Sequence, residues 1–271
     1  MPVENVDGKK IWQRRDRRAA YIHWAATLAV GLVVLLCARI IGAQTHWEFL
    51  HTAPLQAQDL ALRMFPPKWS YSLDLFGPLL DTLHIATLGT IIGVIIASPL
   101  AFLAARNTTP SVLVARPIAL LLLVTSRSVN SLIWALLLVV ILGPGLLAGV
   151  LAIALRSVGF CGKLLYEAIE EIDESAVEAV RSTGASPAQV LIYGVVPQIA
   201  PAFAGISIYR WDINIREATI LGLVGAGGIG MALSASIDTL AWSQVGVIFL
   251  AILATVVLSE WVSAKARAAV T

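Results

Sequence analysis

Long apolar runs separated by short polar stretches decide what this chain can become. They extend from about Tyr21 to Gly42, Leu79 to Ala105, Pro117 to Leu142, Leu146 to Leu165, Ile199 to Val224 and Val245 to Ser263. A helix needs about 20 apolar residues to cross a hydrocarbon layer about 30 Å thick. In lipid every backbone N–H and C=O must be satisfied internally, which leaves helices or closed barrels. Runs of this length predict helices. The expected fold class is all-α integral membrane, with about six transmembrane helices. Composition agrees: 13% of residues are charged and mean hydropathy is +0.82, whereas soluble domains carry about 25% charged residues.

Charge distribution orients the spans. Lys9, Lys10, Arg14, Arg15, Arg17 and Arg18 crowd just ahead of the first run. A nucleic-acid-binding arm is the competing reading. A basic cluster directly before a span marks the cytoplasmic side instead, so no nucleic-acid partner is expected. Six crossings then return the C-terminus, with Trp261, Lys265 and Arg267, to the cytoplasm. The first run exceeds a signal-peptide core of about 7–15 residues, and an uncleaved span is expected. Three segments follow: a basic N-terminus (1–20), a first span with an outer interfacial helix (21–78), and a core of the remaining spans (79–271). Leu55, Leu62 and Phe65 make the interfacial stripe, which Pro66-Pro67 ends.

Enzymatic classes find little support. Cys37 and Cys161 fall in different spans, and His23, His46, His51 and His84 are scattered, so neither a disulfide framework nor a metal site is expected. No nucleophile motif and no catalytic residues emerge. Gly162-Lys163 lacks the first glycine of a phosphate loop, so ATP hydrolysis would have to come from a partner.

Three spans carry irregularities. Gly89 and Gly93 form a Gly-x-x-x-Gly pair that permits close helix approach. The third run contains Ser126-Arg127-Ser128-Val129-Asn130-Ser131 and predicts a bent or broken helix, with Arg127 and Asn130 as candidate path residues. The fifth contains Tyr209-Arg210-Trp211-Asp212-Ile213-Asn214-Ile215-Arg216-Glu217. At about 100° per residue, Arg210, Asn214 and Glu217 share one face and Asp212 and Arg216 another. Such charges cannot face lipid. They form a structural network, or at least one of Arg210, Asn214, Arg216 and Glu217 lines a solute path. Both readings stay open here. Gly225, Gly227 and Gly230 match a dinucleotide fingerprint, but a membrane span rather than a strand precedes them. With Gly228 they predict a flexible or re-entrant turn at the outer end.

The polar run Glu167–Pro197 is the longest charged interruption, and it predicts a helix-turn-helix. Glu174, Glu178 and Arg181 share a face, with Glu178 and Arg181 close enough to pair. Gly184 is the stop, Ala185 follows, and Ser186 caps a second helix with Pro187 at its first position. Glu178-Ala179, Gly184 and Pro197 are spaced as in the EAA loop of ABC-importer permeases, with Val180, Gly194 and Val196 replacing family residues. The resemblance implies a MetI-like permease fold whose coupling helices enter a groove of a cytoplasmic ATPase.

Four further stretches narrow the resemblance: Pro99–Asn107, Tyr193–Gln198, Tyr209–Ala218 and Gly222–Gly230. Together they are similar to permeases of phosphonate- and phosphite-class importers. That resemblance implies a homodimer in lipid of the bacterial inner membrane. It implies two ATPase subunits that bind the ATP and Mg, an extracytoplasmic substrate-binding protein, and no cofactor on this chain. The implied cargo is a small phosphorus oxyanion moved by alternating access. Importers of another small solute, such as the methionine type, share the loop. A secondary transporter is the remote alternative, and no convincing internal repeat supports it.

Overall fold

The computed structural model describes residues 3–6, 9–12 and 17–270, which fall into two compact units, Met1–Asp59 and Leu60–Thr271. In the first unit, β1 (Val3–Val6) and β2 (Lys9–Trp12) form an antiparallel pair with Val3 opposite Trp12 and Val6 opposite Lys9. From residue 17 on the described elements are helical, as expected. Arg14 and Arg15, from the expected basic cluster, lie outside the described residues. Helix α1 (Arg17–Gln44) follows, with no protein burying its apolar stretch. An apolar helix bare on all sides has lipid as its solvent. Helix α2 (Trp47–Met64) starts in this unit, has no buried residue, and ends two residues before Pro66, where the stripe was expected to stop.

The second unit is the core. After a 3₁₀ turn at Trp69–Ser72 come α3 (Phe76–Ala104), α4 (Ala115–Ser128), α5 (Ser131–Leu142), α6 (Leu146–Glu170), α7 (Glu174–Ser182), α8 (Pro187–Val190), α9 (Val196–Leu221), α10 (Ile229–Asp238) and α11 (Trp242–Val270). Five helical stretches of the described residues are long and apolar enough to span, and the α4–α5 pair, bent by 87°, makes up to six. The third run is therefore broken, as its polar interruption predicted. Asn130 accounts for the fresh start: its side chain caps α5 by accepting from the Leu132 N–H at 3.0 Å.

Helix α6 is the hub, packed by α3, α4, α5 and α9. Gly89 and Gly93 do what their spacing implied. A Cβ on Gly89 would lie 2.6 Å from Ile153 Cγ2, and one on Gly93 2.5 Å from Ser157 Cβ, so α3 and α6 approach at backbone distance. On the α4 side Gly159 and Gly162 play the same part against Leu123. Ile85, Ala86, Ile153, Ile215, Ala218, Leu221 and Ala226 fill the centre where α3, α6 and α9 meet.

One expectation is corrected. The Gly225–Gly230 segment is a turn, but not a flexible one. Ala226 and Ile229 are fully buried, and Gly225, Gly227 and Gly228 have φ of +87°, +86° and +74°, which only glycine adopts cheaply. The Gly225 carbonyl accepts from Gly145 N–H at 2.9 Å, and the Ile229 N–H donates to Thr82 Oγ1 at 2.9 Å. Beyond this turn, α10 is a separate helix packed on the Leu75 and Val245 cluster. At ten residues, it has no apolar run long enough to announce itself.

Candidate functional site: a coupling turn and a polar network at membrane depth

The polar run folds as two short helices around Gly184, whose φ is +80°. Glu174, Glu178, Ala179 and Arg181 are exposed on α7. Ala185 leads into Ser186, which completes a reciprocal capping box: Ser186 Oγ accepts from Gln189 N–H at 3.4 Å and Gln189 Oε1 from Ser186 N–H at 2.8 Å. Glu178 and Arg181 form no ion pair among the described residues, contrary to expectation. Both instead border clefts between the turn and the α3–α4 connection, of about 260 Å³ and 540 Å³; Glu178 lines the first and Arg181 both.

Asp173 and Gln198 carry a connection the sequence did not announce. Asp173 caps α7, its carboxylate accepting from the Ser175 hydroxyl and N–H, each at 2.9 Å. These bonds hold its carboxyl below the ordinary value of 3.8. At the foot of α9, Gln198 Oε1 accepts from Asp173 N–H at 2.9 Å, while its Nε2 donates to the Asp173 carbonyl at 3.3 Å and the Gly194 carbonyl at 2.7 Å. Two hydrogen bonds thus tie the cap of α7 to the foot of α9. Between α8 and α9 the chain makes a π-helical turn, Leu191–Val195, closed by Val196 N–H to the Leu191 carbonyl. Pro197 has no N–H and crowds the turn before it, and a wide turn accommodates the ring.

Higher in α9 the expected two faces appear. Arg210, 1% exposed, donates from Nε to Ser157 Oγ at 3.0 Å and from its two terminal nitrogens to Glu217 at 3.3 and 3.4 Å. Its guanidinium lies 5.0 Å from the Phe160 ring centroid. Asn214, fully buried, donates to Thr90 Oγ1 at 2.7 Å and Ser157 Oγ at 3.0 Å. On the other face, Arg216 pairs with Asp212 at 2.5 Å, and Asp212 accepts from Ser259 of α11 at 3.0 Å. Arg210 and Asn214 are thus walled in between α3, α6 and α9, whereas the Arg216 side chain is 42% exposed. Arg127 and Asn130 are exposed at the α4–α5 break and form no hydrogen bond with this network among the described residues. Ser126, beside them, inserts its hydroxyl into α6, donating to the Leu155 carbonyl and accepting from Gly159 N–H at 2.9 Å. No cluster of metal-ligating side chains occurs among the described residues.

The model of the binding-protein-dependent transport system inner membrane component matches residues 89–263. The chain belongs to that family. As a member, it is an inner-membrane transport component. The phosphite transport system permease protein PtxC of Stutzerimonas stutzeri is 44% identical over 235 residues, covering 87% of this permease and 85% of that one. The phosphate-import permease protein PhnE of Mycolicibacterium smegmatis is 44% identical over 190 residues, 69% of this permease but 36% of that chain. Among solved structures, the permease resembles a chain of the inward-facing MetNI methionine ABC transporter, with TM-score 0.62 and 20% identity over 73% of this chain and 96% of that one. That likeness concerns the fold, and it agrees with the MetI-like expectation.

Proposed function

We propose that this permease moves a small phosphorus oxyanion, phosphite or a close relative, inward across the bacterial inner membrane. The observation that carries the reading is the 44% identity to a phosphite permease over 87% of the chain. The motor is supplied by two cytoplasmic ATPase subunits holding ATP and Mg, and an extracytoplasmic binding protein delivers the cargo. Two copies of this chain frame the path, with both termini in the cytoplasm. ATP binding closes the motor, the α7–α8 turn rides with it, and the Asp173–Gln198 bonds pass the movement to α9. Arg216 and Glu217 border the path, while Arg210 and Asn214 brace α9 from behind. Arg127 and Asn130 belong to the broken pair beside it.

The test is reconstitution of the permease with its ATPase and binding protein in proteoliposomes. ATP-dependent uptake of labelled phosphite is expected. ATP-dependent methionine uptake without uptake of phosphite, phosphonate or phosphate overturns the cargo class.

A further inference from the structure

Glu217 serves two guanidiniums at once. Arg210 takes it with both terminal nitrogens, while the approach of Arg156, from Nε, is 3.6 Å, beyond hydrogen-bond length. Arg156 makes no hydrogen bond among the described residues, although a guanidinium carries five N–H donors. Its side chain is 29% exposed. It stands ten residues into α6, about 15 Å from the helix start and near the middle of the hydrocarbon layer. A cation left with idle donors at that depth does not face lipid; it faces water or protein and takes another ligand.

The surroundings point to an anion. Arg210, Arg156 and Glu217 sum to one positive charge. Lys163 lies on the same stripe of α6, seven residues or about 10 Å toward the cytoplasmic end, and it too is partly exposed, with Glu167 at 3.5 Å as its one ion-pair partner among the described residues. The Ser126 hydroxyl bonds to both ends of the α6 turn that contains Arg156.

We infer that Arg156 is the membrane-depth ligand for the transported oxyanion, its planar fork taking two oxygens of the tetrahedral group while Glu217 keeps the grip loose, with Lys163 as the next cation inward. Arginine suits this task because its donors match a tetrahedral oxyanion bidentately, and cationic side chains lining a pore select anions. Glu217 competes for Arg156, so the cargo is released rather than trapped. This rests on the oxyanion reading above.

The experiment uses the complete complex in proteoliposomes, with phosphite as the probe and co-purification of the ATPase as the measure of assembly. Arg156→Gln is expected to lower phosphite uptake at least about tenfold, the worth of one charge-assisted hydrogen-bonded contact. Arg156→Lys, which keeps the charge but not the fork, is expected to fall between the two. Uptake by an assembled R156Q complex within about twofold of wild type overturns the inference. If R156Q does not assemble, R156K decides: an assembled R156K complex with wild-type uptake overturns the inference, and one with reduced uptake supports it. A wild-type complex that imports no phosphorus oxyanion sinks the cargo reading instead, before any variant is compared.

Discussion

Arg210 shows how much a single side chain reveals beyond its place in the sequence. The sequence offered two roles, brace or path, and its charge alone did not choose between them. Burial and the bonds to Ser157 and Glu217 make it a latch between α6 and α9. Removing one partner of a buried pair costs about 3–5 kcal/mol when the other is left stranded, and Arg156 at 3.6 Å spares Glu217 part of that. Arg210→Met is therefore expected to lower thermal stability in detergent by less than that margin but measurably. A variant melting within experimental error of wild type would show that the latch does not hold α6 to α9. Arg156 escaped notice for the opposite reason. In the sequence it is one arginine in an apolar run, and only the Arg210 grip on Glu217 leaves it under-served.

At the scale of elements, the coupling turn was readable almost residue by residue. Gly184, Ser186 and Pro187 each have local chemistry that fixes a helix end. The Gly89–Gly93 approach and the broken third span were equally local. Gln198 was not, because its partners lie 25 residues back in the chain and no spacing rule foretells them. If Gln198 links the two elements, Gln198→Ala should bring the ratio of cargo-stimulated to unstimulated ATPase activity toward one, with the ATPase still co-purifying. An undiminished ratio would assign the transmission elsewhere. The cap has a pH signature too. Because the folded state lowers the Asp173 pKa, the stability it contributes is present above the ordinary carboxylate value and is lost as pH falls through the folded one. Hydrogen exchange at the start of α7, corrected for intrinsic rates, should lose protection on acidification in wild type and show no such step in Asp173→Asn. An identical acid step in both proteins would trace it to another group.

For the whole molecule, the six apolar runs agree with five to six candidate spans among the described residues, while the short α10 and the tight glycine turn depend on tertiary packing that hydropathy does not encode. The orientation proposed above rests on the basic residues before α1 and is open to a direct check. In a Cys37→Ala background, Thr183→Cys should react with a membrane-impermeant maleimide only from the cytoplasmic side, and Asp238→Cys only from the opposite one. Labelling with the sides exchanged would invert the coupling scheme. One consequence concerns phase. The wide winding at Leu191–Val195 holds a surplus residue, which sets α9 about 100° out of step with an uninterrupted rod drawn up from Pro187. A loop borrowed from a regularly wound relative, however well matched in composition, would mount the membrane shaft a quarter-turn or more askew, with Arg210 aimed away from its seat on α6.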